Sequence, residues 1–156
     1  MIPKNKKYLI VAVSGYYDPL HVGHLEQIHL AKQLAGKKGK LIVILNSDEQ
    51  AILKKGKSFM IQEERRKILE ALKDVDEVYM SIDTDMSVCK SLQVINPDIF
   101  AKGGDRAKGE LLEDDICKKM KIKIVDGLGK KIQASSELIK NWEKKKWNLE
   151  EEHHYV

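Results

Sequence analysis

The sequence is poor in several residue types, and each shortage argues against a class of protein. Its two cysteines, Cys89 and Cys117, form neither a disulfide framework nor a metal-knuckle spacing, so we expect a reduced, cytoplasmic setting. Aromatic residues make up only 6% of the 156 residues, which leaves few platforms for stacking single-stranded nucleic acid. The longest apolar runs, such as residues 8–13 and 41–45, are far too short to span a membrane. We therefore expect no membrane partner.

Arginine is scarce as well. Arg65, Arg66 and Arg106 are the three arginines, and the other 25 of the 28 basic residues are lysines. Arginine supplies the bidentate contacts that most readers of DNA and RNA use, and the net charge is only +4. A nucleic-acid role would rest mainly on the lysines at 144–146, but glutamates at 150–152 follow and partly cancel them. We expect no nucleic-acid partner.

What the sequence does contain is an alternation of short apolar runs and amphipathic segments. The runs predict five strands, at residues 8–13, 41–45, 77–80, 98–102 and 122–125. The segments predict helices at 22–35, 62–72, 85–95, 111–120 and 135–147. Between them, residues 46–61 read as a polar loop, long for a connection and therefore a candidate for function.

A strand, a helix and a second strand within residues 8–45 form a βαβ unit, which implies parallel pairing. The repeated alternation predicts an α/β fold, a Rossmann-like doubly wound five-stranded parallel sheet with helices on both faces. The length suits one domain over residues 1–156, with its core at 8–140 and a C-terminal helix and tail at 135–156.

The segment after the first strand carries the strongest chemical signal. Residues 15–24 read Gly-Tyr-Tyr-Asp-Pro-Leu-His-Val-Gly-His and lie where doubly wound sheets bind ligands. His21 and His24 are three residues apart at the start of a helix, so they share one face. A helix N-terminus favours phosphates, and two imidazoles can add N–H donors there. Gly15 and Gly23 would let a nucleotide approach the backbone closely.

Two other interpretations of this segment remain open. His21 and His24 could form part of a metal site with Asp18, although structural zinc usually needs four good ligands and we favour no metal site. The two histidines could also simply cap and pack the helix. Their position after the first strand favours phosphate binding over both.

Residues 15–24 resemble the signature loop of the HxGH cytidylyltransferase-like nucleotidyltransferases, whose pattern is Gly-Thr/Ser-Phe-Asp-x-x-His-x-Gly-His. Further similar segments follow in the family's order at 46–48, 55–56, 64–69 and 75–78. Residues 96–105 are similar to a segment of bacterial heptose-phosphate nucleotidyltransferases, and glycerol-3-phosphate cytidylyltransferases have a related one. The resemblance extends over residues 8–140.

The resemblance implies a reaction. Such an enzyme joins the nucleotidyl group of a nucleoside triphosphate, here with CTP favoured, to a small phosphorylated alcohol or sugar. Attack is direct and in line and releases pyrophosphate; Mg²⁺ is expected to accompany the triphosphate, and a homodimer is expected. Two alternatives stay open. One is an ATP-dependent adenylyltransferase acting on a heptose phosphate or flavin nucleotide, and the other is a non-catalytic nucleotide-binding regulatory module.

The resemblance also implies roles for individual residues. The catalytic set, placed against the triphosphate, is His21, His24 and Lys55, with Lys55 as a mobile loop cation. The nucleotide-binding set is Gly15, Tyr16, Tyr17, Gly23, Gly103, Asp105, Ser135 and Ser136. The acceptor-binding set is Asp18, Arg66 and Arg106, where Asp18 either orients the loop or holds the acceptor. Tyr16 and Ala134 depart from the family pattern, which leaves the identity of the acceptor open.

Overall fold

The computed structural model describes residues 8–103, 112–129 and 134–144. These residues form five strands and six helices. In chain order the elements are β1 (Ile10–Gly15), α1 (Val22–Ala35), β2 (Lys40–Leu45), α2 (Asp48–Lys55), α3 (Gln62–Glu70), β3 (Glu77–Met80), α4 (Cys89–Ile95), β4 (Ile99–Gly103), α5 (Asp114–Met120), β5 (Lys123–Leu128) and α6 (Ser135–Lys144).

The strands form one parallel sheet in the order β3-β2-β1-β4-β5. The register between β1 and β2 runs from Ile10 opposite Lys40 to Gly15 opposite Leu45. β2 and β3 follow β1 on one side of the sheet, and the chain then crosses over so that β4 and β5 lie on the other side of β1. The crevice between β1 and β4 is therefore the switch point at which such sheets bind ligands. The predicted Rossmann-like α/β fold is confirmed.

Alternating side chains of β1 divide the core into two apolar layers. Val11 and Val13 pack with α1 and with Leu69 of α3 on one face of the sheet. Ile10 and Ala12 pack with α4 and α5 on the opposite face. All four β1 side chains are buried, and burying a valine or isoleucine contributes roughly 1.5–3 kcal/mol. Helices cover both faces, as predicted.

The prediction of one long loop at residues 46–61 is wrong, because α2 occupies half of it. Ser47 and Gln50 form a reciprocal cap: each side-chain oxygen accepts the other residue's backbone N–H at 3.1 Å. Gly56 ends the helix in the left-handed conformation, with φ +83°. The Ser-x-x-Gln spacing and the glycine were both helix signals, but they enclose few apolar residues. The true loop is short, from 56 to 61.

Some boundaries also differ from the predicted ones. β1 begins two residues later than predicted, and β5 continues through Leu128. α4 begins at Cys89 instead of residue 85, because Asp85 accepts hydrogen bonds from Ser87 in a turn that precedes the helix. Within the described residues, none of the helices has both the length and the apolar character needed to cross a membrane.

Candidate active site

The carboxyl ends of the strands form the floor of a cavity of about 650 Å³. Eight of the predicted site residues line it: Gly15, Tyr16, Tyr17, Asp18, His24, Lys55, Ser135 and Ser136. The cavity wall also includes residues that the sequence did not single out: Ser14, Asn46, Lys54, Met86, Val88, Lys102, Leu112 and Glu113. Asp105 and Arg106 lie outside the described residues.

His21 and His24 form a cap at the N-terminus of α1. The Nδ1 atom of His21 accepts the backbone N–H of Gly23 at 3.1 Å, and Nδ1 of His24 accepts the backbone N–H of His21 at 3.2 Å. The two rings stack with their centroids 3.7 Å apart. Because each Nδ1 accepts a hydrogen bond, each neutral ring carries its proton on Nε2. Both histidines can therefore donate from Nε2.

Burial keeps these imidazoles uncharged. It lowers the pKa of His24 to about 4, and the neighbouring His21 contributes to the shift. Burial also lowers the pKa of His21. Near pH 7 the pair therefore offers neutral N–H donors at a helix N-terminus, where the helix dipole already favours an anion.

Tyr17 supports this cap from the core. Its side chain is buried, and its ring meets that of His24 edge-on with centroids 4.8 Å apart. A Cβ atom on Gly15 would come within 3.0 Å of the Tyr17 ring, so the absence of a side chain at residue 15 makes room for the tyrosine. The backbone of Tyr17 adopts φ +50°. The structure thus places Tyr17 beneath the site, where burial raises the pKa of its phenol.

Asp18 points away from the two histidines, toward the loop after α2. Its carboxylate accepts the backbone N–H groups of Phe59 at 2.8 Å and Met60 at 2.6 Å and lies 3.3 Å from Nζ of Lys55. The side chain is fully buried. Of the two roles predicted for Asp18, this geometry favours orienting a loop over holding an acceptor. Among the residues that the structure describes, no three metal-ligating side chains of the His, Cys, Asp or Glu type cluster together.

Two lysines at the end of α2 line the cavity. Nζ of Lys54 lies 4.6 Å from the centroid of the Tyr16 ring, and Nζ of Lys55 lies 5.8 Å from it. The sequence predicts a role for Lys55 but none for Lys54. Because Lys55 is the last residue of a capped helix, its backbone does not belong to a long loop as predicted.

Arg66 does not line the cavity. Its guanidinium lies 2.7 Å from Glu63 and 3.8 Å from Glu70 on the outer face of α3. The neighbouring Arg65 is the arginine that supports the site, although sequence reasoning missed it. It is 1% exposed, and the helical spacing to buried Leu69, four residues on, was the signal for its inward position.

Arg65 ties together the chain segments behind the cavity. Nη1 donates to the carbonyl oxygens of Tyr16 at 2.7 Å and Asn46 at 2.8 Å, and Nη2 donates to Asp48 at 2.7 Å. Nε donates to the carbonyl of Met60 at 2.9 Å. At Asp48, burial alone would raise the pKa, but hydrogen bonds from Gln62, Arg65 and Ser58 outweigh burial and lower it.

The wall on the α4 and α5 side is mostly apolar and contains one buried carboxylate. Met86, Val88 and Leu112 line it together with Glu113, which is 6% exposed. Oε2 of Glu113 accepts the backbone N–H of Val88 at 3.1 Å. The pKa of Tyr16, across the cavity, is raised mainly by burial, with Arg65 opposing the shift and Glu113 adding to it. Sequence reasoning had no signal for this wall, since Glu113 lies inside the helix predicted at residues 111–120.

Ser135 lines the cavity, whereas Gly23 and Gly103 are outside the lining that the described residues form. Ser135, at the start of α6, donates from Oγ to the carbonyl of Pro19 at 2.7 Å, which joins α6 to the signature loop. Gly103, at the end of β4, lies against Gln27 of α1, where a Cβ atom would be only 2.2 Å from the Gln27 side chain. Gly23 donates its backbone N–H to His21.

A family model described as cytidylyltransferase-like matches residues 12–145. The chain belongs to the cytidylyltransferase-like family. That match takes in the signature loop, the capping histidines, the end of β1 and the other four described strands. The sequence-based prediction of an enzyme of the nucleotidyltransferase class is confirmed.

Relatives within this family carry more specific names. An FAD synthase of Methanothermus fervidus is 33% identical over 113 residues, which cover 72% of this chain and 74% of the relative. The bifunctional protein HldE of Wolinella succinogenes is 34% identical over 134 residues, which cover 81% of this chain and 27% of that protein. In the solved structures, a lipopolysaccharide core biosynthesis protein from Thermoplasma volcanium is 25% identical with a TM-score of 0.63, covering 76% of this chain and 95% of the other.

Proposed function

We propose that this cytidylyltransferase-like enzyme transfers the adenylyl group of ATP to the phosphate of flavin mononucleotide, forming FAD and pyrophosphate. The likeness to an FAD synthase over 72% of the chain carries this proposal. FAD is the dinucleotide that results when AMP is joined to flavin mononucleotide, so the name specifies both substrates. The preference for CTP indicated by the sequence stays a prediction, and the assay below distinguishes the two nucleotides.

In the proposed reaction, an oxygen of the acceptor phosphate attacks the α-phosphorus of the triphosphate. The new P–O bond forms as the bond to the β-phosphate oxygen breaks, and pyrophosphate leaves with that electron pair. The acceptor phosphate is already ionised, so the enzyme needs neither a protein nucleophile nor a general base. Catalysis then consists of positioning and of stabilising charge on the phosphoryl oxygens.

The residues of the cavity suit that task together with His21, which is outside the cavity lining but stacks on His24. Nε2–H of His21 and of His24 would donate to oxygens of the triphosphate at the N-terminus of α1. Lys54 and Lys55 would supply positive charge from the end of α2, while Asp18 positions Lys55 and the loop at 58–60. Gly15, Tyr16, Ser135 and Ser136 would contact the nucleotide.

Several other roles remain proposals. Magnesium would arrive with the triphosphate, since its phosphate oxygens are good Mg²⁺ ligands and no protein metal cage forms among the described residues. Roles for Asp105 and Arg106, which lie outside the described residues, and a homodimeric state are retained as predictions.

A second candidate is adenylyl transfer to a heptose phosphate. The likeness to the bifunctional protein HldE and to a lipopolysaccharide core biosynthesis protein favours it. The two candidates differ in the acceptor: a heptose phosphate carries hydroxyl groups, whereas flavin mononucleotide carries an aromatic ring.

The first experiment measures pyrophosphate release from ATP or CTP with flavin mononucleotide, a heptose phosphate or glycerol 3-phosphate, with chromatography of the products. We expect release from ATP with flavin mononucleotide and a product that co-elutes with FAD. Release from another pair alone would contradict the proposal, and release from no pair would favour the regulatory module.

Variants test the cavity residues in the same assay. Lys55→Ala should lower kcat/KM by about 10- to 100-fold, because it removes a cation expected to stabilise developing charge. Lys57→Ala is the matched control: it removes the same charge two residues away, from an exposed side chain that does not line the cavity. Equal losses in the two variants would show that Lys55 acts only through net charge.

A further inference from the structure

The cavity has two chemically different ends. Near the N-terminus of α1, His24, Lys54 and Lys55 offer donors and positive charge. Met86, Val88, Leu112 and Glu113 form the other end, on the α4 and α5 side of the sheet, which we call the ring wall. Three apolar side chains line this end of the cavity together with one buried carboxylate.

Two carboxylates, those of Asp18 and Glu113, line a cavity that is proposed to receive two polyanionic substrates, and Lys55 pairs with Asp18. An ionised carboxylate accepts hydrogen bonds and repels phosphates. The Oε2 atom of Glu113 holds the Val88 amide at 3.1 Å, so the side chain is fixed in position along the wall. The ligand part that lies against Glu113 is therefore uncharged and carries an N–H or O–H donor. Because Met86, Val88 and Leu112 line the same wall, a ligand part with apolar faces suits it, as an aromatic ring does and a polyol does not.

The in-line geometry of the proposed reaction indicates which of the two substrates lies against the ring wall. In an in-line displacement, the attacking oxygen approaches opposite the leaving pyrophosphate. The proposed phosphate site lies at the N-terminus of α1, which packs on the sheet face opposite to α4 and α5. The acceptor then extends from the α-phosphate toward the α4 and α5 side, where the ring wall lies.

We propose that the ring wall binds the flavin ring of the acceptor and that Glu113 accepts a hydrogen bond from the ring N3–H. Glu113 is then a specificity-determining residue that selects a flavin nucleotide against sugar and polyol phosphates. This inference rests on the proposed function and assigns its acceptor subsite.

The test compares Glu113→Gln with the wild-type enzyme in steady-state FAD formation. The glutamine oxygen can still accept the Val88 amide, but the amide NH₂ does not accept a hydrogen bond from flavin N3–H. We expect the KM for flavin mononucleotide to rise about 10- to 100-fold, as for a lost hydrogen bond to a charged group, with the KM for ATP unchanged. Asp115→Asn is the matched control, an exposed carboxylate two residues away that does not line the cavity.

A second measurement uses a chemically altered acceptor, N3-methyl flavin mononucleotide. Wild-type enzyme should discriminate against it about tenfold or more, and Glu113→Gln should lose most of this discrimination. If the variant does not fold, equal use of the two flavins by the wild type overturns the proposal by itself.

These experiments distinguish a failure of the proposed function from a failure of the ring wall assignment. If the wild type forms no FAD, the proposed function fails and the ring wall assignment fails with it. If FAD forms and Glu113→Gln keeps both the flavin KM and the discrimination, only the role of Glu113 is overturned. A rise in the KM for ATP alone would place the nucleobase, instead of the flavin, against this wall.

Discussion

At the scale of single residues, the capping histidines at the start of α1 are the most informative feature. Helix N-caps are usually Ser, Thr, Asp or Asn, whose side-chain oxygens accept a backbone N–H. His21 and His24 accept backbone N–H groups through Nδ1 instead. A capping Asp carboxylate has no proton to offer, whereas a capping imidazole retains a second nitrogen, with its proton, that the cap does not use. A cap and a phosphate donor are thereby combined in one side chain.

The lowered histidine pKa values predict how stability depends on pH. In the unfolded chain His24 has an ordinary pKa near 6.5, whereas burial in the fold lowers it to about 4. Between those values the unfolded chain binds more protons, so the free energy of unfolding falls as the pH decreases from 7 to 5. We expect His24 to contribute about 2 kcal/mol to this loss, measurable by urea denaturation at the two pH values.

The control for this prediction is His24→Asn, which keeps a side-chain acceptor for the His21 amide but does not titrate. Its free energy of unfolding should change less between pH 7 and pH 5 than that of the wild type. Carboxylates with lowered pKa values, such as Asp48 and Asp76, remain ionised throughout this range and do not obscure the comparison. Identical pH dependence in both proteins would contradict a buried neutral His24.

At the scale of elements, α3 holds the site together through one buried guanidinium. Arg65 donates to two carbonyls that follow β1 and β2, to the first residue of α2 and to the loop before α3. We expect Arg65→Lys to lower the free energy of unfolding by about 2–4 kcal/mol, because an ammonium group cannot make all four contacts and leaves buried carbonyls unpaired. Urea denaturation measures the change.

The neighbouring residue supplies the control. Arg66→Lys should leave the denaturation midpoint unchanged, since the ion pairs of Arg66 with described residues are to Glu63 and Glu70 on the outer surface. It should also leave the KM for both substrates unchanged. A loss of acceptor affinity in Arg66→Lys would restore the role that the sequence suggested for it.

Prediction from sequence succeeded where a local pattern determines structure. The apolar runs of β1 and β2 pack on both faces, so continuous hydrophobicity located them, and the His-x-x-His spacing located the N-terminus of α1. Prediction failed at α2, whose start and end signals enclose polar residues. It also assigned a site role to Arg66 instead of Arg65. Which of two adjacent arginines faces inward depends on the phase of the helix against the sheet, and Glu113 meets Val88 only through tertiary packing.

At the scale of the whole molecule, the cavity draws on residues from β1, α1, α2, β4 and α6, and on the segments before α4 and α5. A ligand that bridges these elements binds only the folded chain. ATP at one hundred times its Kd should therefore stabilise the protein by about 2.7 kcal/mol. For a chain of this size that corresponds to a rise in Tm of roughly 5–10 °C, measurable by differential scanning calorimetry.

The same measurement with CTP distinguishes the two nucleotides. A larger shift with CTP than with ATP at equal concentration would contradict the proposed adenylyl transfer and support the preference that the sequence indicates. His24→Asn should reduce the shift with ATP, because the variant loses a donor to the triphosphate.

The contact between Lys55 and Asp18 has a consequence for the ligand-free site. With the ammonium 3.3 Å from a fully buried carboxylate, the two charges compensate each other before any substrate arrives. An entering phosphate must compete with Asp18 for Lys55, so binding there is an exchange of anionic partners and not the neutralisation of a bare cation. Small anions such as chloride gain little from such an exchange, whereas a triphosphate that also reaches His24 and the helix N-terminus gains several contacts at once. A lysine already partnered thus favours polyvalent over simple anions.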